Sequence, residues 1–384
     1  MKTPALPPIR HTGRKPAKGR QAAPACRAAA VAASRAIATG ALAAIFALFG
    51  AAYSRAQSEL NVQFHDFQDT RGVTVLSPMV DLSQDFTDRT TLRASFGVDA
   101  VSAASDSCAR CHRQGVNTRR RVGGASITRK YGDLKWTIGG EYSRENFYRA
   151  TTALTSLSRE INNGNTTVAG GYTFSLNEPT LHPLPQIEKQ YASSGYVAVT
   201  QTLTKTTVAQ FGYEVAQVNG FQSNPYLRAD VQGLMLVGQT PDLRTRQTLT
   251  ARVRQALPGD TYLEANYRHY FDSWELRSNS LDVGLSHYLT KPVLASFVYR
   301  RYDQTGAFFY EPHYTSVPQF FTADFRLAPF ASGLYTGKLV VTPVAPSWLP
   351  KGSSLLVQYD RYRANNGFEA GTLTGGLRIP LKLK

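Results

Sequence analysis

From Leu60 onward, apolar and polar residues alternate in runs of about ten to fourteen, broken by turn signals. Leu134, Trp136, Ile138, Gly140 and Tyr142 share one parity; Lys135, Thr137, Gly139, Glu141 and Ser143 take the other. Val168, Gly170, Tyr172 and Phe174 alternate with Thr167, Ala169, Gly171 and Thr173, while Thr248, Thr250, Arg252 and Arg254 oppose Leu249, Ala251 and Val253. In the last segment Leu373, Gly375, Leu377, Ile379, Leu381 and Leu383 fall on one face. Strand side chains alternate between faces, so each segment has one apolar and one polar side. A soluble sandwich would show the same alternation, so the connections must separate the two. Tight turns are expected at Thr87-Asp88-Arg89, Tyr131-Gly132-Asp133, Asn162-Asn163-Gly164, Thr204-Lys205, Pro258-Gly259-Asp260 and Thr290-Lys291. Long connections near 102–118, 178–190, 220–243 and 305–328 each follow an odd-numbered strand, in strict alternation with the short ones. Short periplasmic turns and long outer loops are the rule of bacterial outer-membrane barrels.

The pattern therefore predicts an all-β fold: a closed, antiparallel, up-and-down transmembrane β-barrel with both termini periplasmic. That requires an even number of strands. Residues 319–343 then read as a loop feeding one strand at 330–343, followed by strands at 353–364 and 370–383. The total is about sixteen, within a range of roughly fourteen to eighteen, and such a barrel holds an aqueous lumen unless loops fold in.

Composition agrees. Hydrophobic residues make up 42% of the chain, yet mean hydropathy is −0.28, and no mature segment approaches the ~20 apolar residues of a membrane helix. Tyr and Phe number 20 and 19, as aromatic girdles require. Residues 1–56 have the layout of a cleaved signal peptide: a basic stretch to Arg35, an apolar segment at 37–52, then Ser54-Arg55-Ala56 with small residues at −3 and −1. The barrel is expected over 57–384. Nine Lys and Arg and no acid lie in the leader, so the formal charge of +16 less nine leaves +7. The other basic residues alternate through strands, which argues against nucleic acid and for a lumen lined with Arg and Lys. Membrane lipid is the expected partner.

Beyond the leader only two cysteines remain, in Cys108-Ala109-Arg110-Cys111-His112. C-x-x-C-H is the attachment pattern of c-type haem: two thiols add to the two vinyl groups, and the adjacent His112 reaches the iron. The leading expectation is one covalent haem c, held in the connection at 102–118. A Cys108–Cys111 disulfide would suit an oxidising compartment but leaves His112 without a role, and a zinc site would need a fourth ligand. Arg119, Arg120 and Arg121 could pair with haem propionates or simply line the rim. For the distal iron position His65 is the first candidate, since it shares lumen-facing parity with Asn61 and Gln63. His182, His313 and Met235 lie in other long connections, and Met235 sits in the apolar piece Val231–Val237, which would fold over a cofactor or pack on neighbouring loops. His269 and His287 have lipid-facing parity. No G-x-S-x-G, H-E-x-x-H or phosphate-cradling loop occurs, so catalytic turnover is not indicated.

Several segments resemble a functionally uncharacterised family of proteobacterial outer-membrane barrels, a domain-of-unknown-function family. They are Asp99-Ala100-Val101-Ser102-Ala103-Ala104-Ser105, Tyr142-Ser143-Arg144-Glu145 with Tyr148, Tyr267-Arg268-His269-Tyr270 with Asp272 and Trp274, and Ala323-Asp324-Phe325-Arg326-Leu327. The resemblance covers most of 60–383 and implies a barrel and an outer-membrane location, but no substrate. The C-x-x-C-H insert looks like a feature of part of the family. The end, Leu381-Lys382-Leu383-Lys384, departs from the terminal aromatic that barrel assembly usually reads. Together these features predict a porin-like barrel with a single haem relay for electron transfer at or across the outer membrane. One haem cannot span a hydrocarbon core of about 30 Å, so periplasmic or extracellular cytochromes are implied as partners. The alternatives are a channel or structural barrel with a Cys108–Cys111 disulfide, and a haem-based sensor with an open iron site.

Overall fold

The computed structural model describes residues 57–103, 116–180, 186–224, 227–342 and 349–382. Its wall begins with β1 (Gln57–Asp69), β2 (Val73–Thr87), β3 (Thr90–Ala103) and β4 (Val116–Tyr131). It continues through β5 (Leu134–Glu145), β6 (Tyr148–Ile161), β7 (Thr166–Pro179), β8 (Gln190–Thr202) and β9 (Thr207–Gly220). A short hairpin, β10 (Arg228–Val231) and β11 (Leu234–Val237), forms a separate two-stranded sheet. The wall resumes with β12 (Leu243–Leu257), β13 (Thr261–Asp272), β14 (Arg277–Thr290) and β15 (Val293–Gln304). It ends with β16 (Phe330–Val341), β17 (Ser354–Ala364) and β18 (Glu369–Lys382). Sixteen antiparallel strands close the barrel: β9 pairs with β12 across the hairpin, and β18 pairs with β1 from Gln57–Lys382 to Asp69–Ala370. The loop-then-strand reading of 319–343 is thus correct.

Which way each strand faces decides the environment. Trp136, Ile138 and Tyr142 on β5, Val197 and Val199 on β8, Phe211 on β9, and Leu281, Val283 and Leu285 on β14 all point outward and are exposed. A continuous apolar belt of this extent would drive aggregation in water. In a bilayer it is the face that dissolves in hydrocarbon, while closure leaves no unpaired edge. The protein is an outer-membrane barrel.

The tight turns form where the sequence places them. Asn162 and Asn163 take positive φ (54° and 53°), which Asn tolerates, in the loop between Ile161 and Thr166. Strict alternation of connections does not hold. The outer rim has short turns at 70–72, 146–147, 273–276 and 365–368, and the inner connection 342–353 is long. Local residues set each turn, so nothing enforces a uniform rhythm.

Two long outer connections, 221–242 and 305–329, interlock. Val231, fully buried, packs with Ala229, Tyr314 and Phe321. Gln239 and Phe321 exchange backbone hydrogen bonds of 2.9 and 2.8 Å. A second cluster joins Trp274 to Ala307 and Phe309. On the far side Phe325 lies under the Arg71 guanidinium, 3.6 Å from its ring centre, and 6.3 Å from Phe368. The connection 305–329 therefore touches rim positions half the circumference apart. Met235 is exposed, and its segment meets the neighbouring loop through Val231 and Leu236, which is the packing reading of Val231–Val237.

Tyr314 is the knot of this cap. Its buried hydroxyl accepts from the Glu311 and Thr322 amides at 3.2 and 2.9 Å and lies 3.0 Å from Phe309 O. Tyr314→Phe leaves those amides unanswered, a loss of about 1–3 kcal/mol confined to the loops. Trypsin is expected to cut the variant at Arg326 well before the wild type, with the thermal transition of the barrel unchanged. Equal cutting rates would show that the cap does not depend on this hydroxyl.

Candidate functional site

The lumen is lined by alternate residues, and they carry charges of both signs. On β12 the inward residues include Arg244, Arg246, Arg252 and Arg254; β13 adds Arg268 and β15 adds Arg300. Further around the closed order, β2, β3 and β5 turn Asp81, Asp99 and Glu141 inward, and Arg93 and Arg120 on β3 and β4 share that parity. The expected lumen lined with Arg and Lys is thus only half right: carboxylates share the wall throughout, as Asp282 faces Arg300 and Asp99 faces Arg120, with arginine in excess on β12 to β15.

Under the cap lies a cavity of ≈ 640 Å³ lined by Arg244, Arg246, Arg268, Arg300 and Arg326, together with Glu214. Three of these arginines are held by carboxylates. Arg300 grips Asp282 with both arms of its fork, at 2.6 and 2.9 Å. Arg326 does the same with Asp324, at 2.9 and 2.6 Å, and these hydrogen bonds hold its guanidinium above the ordinary arginine range. Arg244 donates to Asp272 from Nε at 2.8 Å and stacks on Trp274, 4.1 Å from the ring centre.

Arg246 and Arg268 are different. Arg246 stands directly opposite Asp272, but that carboxylate already accepts from Arg244, the Tyr270 hydroxyl at 2.6 Å, and the Trp274 and Leu276 amides at 2.9 and 3.1 Å. Its lone pairs are used up, and the buried Arg246 Nε has no acceptor among the described residues. Arg268 faces Thr250 and Ser280, and makes no ion pair among the described residues. Two guanidinium groups thus present unspent donors to the same water-filled space. That arrangement receives an anionic group well.

Of the residues expected around a haem, Arg120 and His65 face the lumen, whereas Arg119 and Arg121 do not. Cys108, Cys111 and His112 lie outside the described residues. Arg120 points inward, donating to Ser143 Oγ at 2.8 Å and lying 3.8 Å from Asp99. Arg119 and Arg121 have the opposite parity and face out of the barrel, exposed. His65 faces the lumen as expected, but its Nδ1 lies 2.8 Å from Thr374 Oγ1, within the wall. His269 and His287 face outward, bonded to Asn279 and Thr261. Missed in the sequence was the cavity itself, although Arg268, Tyr270, Trp274, Asp324, Arg326 and Leu327, all from the resemblance segments, line it. Their clustering near outer strand ends was the available signal.

No curated protein matches the chain. Among solved structures it is similar to the outer-membrane protein OpdK of Pseudomonas aeruginosa with vanillate, at 7% identity and TM-score 0.46, over 85% of this chain and 99% of that one. OccK8 (OprE) of the same organism gives 8% and 0.46 over 85% and 98%, and OpdQ gives 7% and 0.45 over 86% and 100%. Among the described residues no three His, Cys, Asp or Glu side chains group to hold a metal. The expected covalent haem and its electron-transfer role are corrected accordingly: what the described residues show is an outer-membrane barrel without such a cluster. The physical reason lies in the strand period: consecutive arginines diverge, and the inward one is already committed to the wall. Over residues 113–377 the chain matches the family described as "Protein of unknown function (DUF3570)", and it is a member of that family.

Proposed function

We propose that the barrel is a non-catalytic diffusion channel for small water-soluble solutes bearing a carboxylate or phosphate, which Arg246 and Arg268 engage beneath the cap. The observation that carries this reading is the pair of inward guanidinium groups with no carboxylate of their own. A cation already paired with a fixed carboxylate adds little field, whereas an unpaired one attracts a passing anion and repels a passing cation. Removal of residues 1–56 during export is part of the same proposal.

Purified barrel reconstituted in planar bilayers tests it. Under a KCl gradient the reversal potential is expected on the anion side, and a small dicarboxylate is expected to lower the KCl current at low ionic strength. Cation selectivity would overturn the reading. Absence of any conductance would instead make this a closed, structural barrel.

A further inference from the structure

The outward face of the rim carries charge where a bilayer-facing wall should not. Arg121 on β4 stands directly opposite Arg144 on β5, and Arg144 directly opposite Arg149 on β6. Arg119 lies two residues further out on β4, with the same outward parity. Arg119, Arg121 and Arg144 are exposed and make no ion pair among the described residues; Arg149 alone has an acid, Glu178 at 3.6 Å. Like charges directly opposed across strands repel. On β17, by contrast, the outward arginines are answered: Arg361 and Arg363 share Glu369. Among the described residues Arg119, Arg121 and Arg144 lack such an answer.

Its depth says what could supply one. Leu134 opens β5 at the inner end, and Arg144 lies ten residues further along. At about 3.4 Å per residue and a tilt near 40°, that is about 26 Å along the bilayer normal, close to the ~25 Å apolar band of such barrels. Tyr142, exposed and outward, occupies the girdle position just below. Arg121 and Arg144 therefore sit at the headgroup level of the outer leaflet, on the same rim as the interlocked loops. We propose that Arg119, Arg121, Arg144 and Arg149 form a binding site for the phosphate groups of the outer leaflet's phosphorylated glycolipid. Planar forks suit phosphate oxygens bidentately, and a row of them spans more than one phosphate.

Full-length purified barrel in detergent can be titrated with fluorescent lipid A carrying both phosphates and with its dephosphorylated counterpart. The wild type is expected to bind the phosphorylated form at least about tenfold more tightly, less so as salt rises, with inorganic phosphate in large excess displacing little. R119Q/R121Q/R144Q is expected to lose that preference, while R129Q, outward at the opposite end, keeps it. Folding of each variant is checked by heat-modifiable gel mobility. Equal wild-type affinity for the two lipids overturns the proposal even without a folded variant. So does an R119Q/R121Q/R144Q variant that still discriminates, or displacement by free phosphate alone, which would make this a soluble-anion site.

Discussion

With Arg246 and Arg268 both replaced by Gln, the anion-to-cation permeability ratio read from reversal potentials is expected to fall roughly fivefold at low salt. At about 7 Å in water-like surroundings an unscreened unit charge is worth roughly 0.6 kcal/mol to a passing ion; if screening leaves about 0.5 kcal/mol for the pair, favourable to an anion and equally unfavourable to a cation, the ratio moves by about 1 kcal/mol. The change should shrink towards nothing in 1 M KCl, where the screening length is about 3 Å. Stability, in contrast, should hardly move. Neither arginine is the partner of a carboxylate: Asp272 opposite Arg246 is filled by four other donor groups, and Arg268 faces hydroxyls. Gln therefore strands no buried anion. Arg300→Gln is the contrasting case, because it frees Asp282 from both arms of its fork. An unchanged ratio in the double variant would place the selective step elsewhere in the lumen.

The barrel was legible because its signals are local. Alternation over one strand, an Asn-Asn-Gly turn and the even strand count are all properties of neighbouring residues, and each reappears in the closed sheet. His65 was placed on the correct face by parity alone. The cavity was not legible, because it depends on contacts between distant segments: Tyr314 with Val231, Trp274 with Phe309, Phe325 with Arg71. No periodicity encodes such pairings. The pairing of all three arginines with haem propionates ran against a rule already available. Three consecutive residues on a strand cannot face one ligand, so Arg119, Arg120 and Arg121 had to divide between lumen and lipid. That division removes them as a common propionate clamp and leaves the outward pair to be explained by the membrane.

Asp272→Ala is expected to cost about 3–5 kcal/mol of barrel stability, measured by urea unfolding in lipid vesicles. The carboxylate is wholly buried and the Arg244 side chain beside it is only 10% exposed, so the substitution leaves a guanidinium without its anion in a site that water barely reaches. Removing both charges in R244M/D272A should recover part of the loss, since an apolar pair avoids the stranded charge. Recovery should stay incomplete. Asp272 also accepts the Trp274 and Leu276 amides, and each orphaned amide costs about 1–3 kcal/mol. Those two amides fix the turn that presents Trp274 to Phe309, whose rings lie 5.1 Å apart edge to face. Loss of Asp272 should therefore loosen the cap as well as the wall, with earlier tryptic cutting at Arg326 and a noisier open-channel current. If R244M/D272A matched the wild type in both stability and proteolysis, the carboxylate would serve only to neutralise Arg244, and the anchoring of the cap through Trp274 would have to be abandoned.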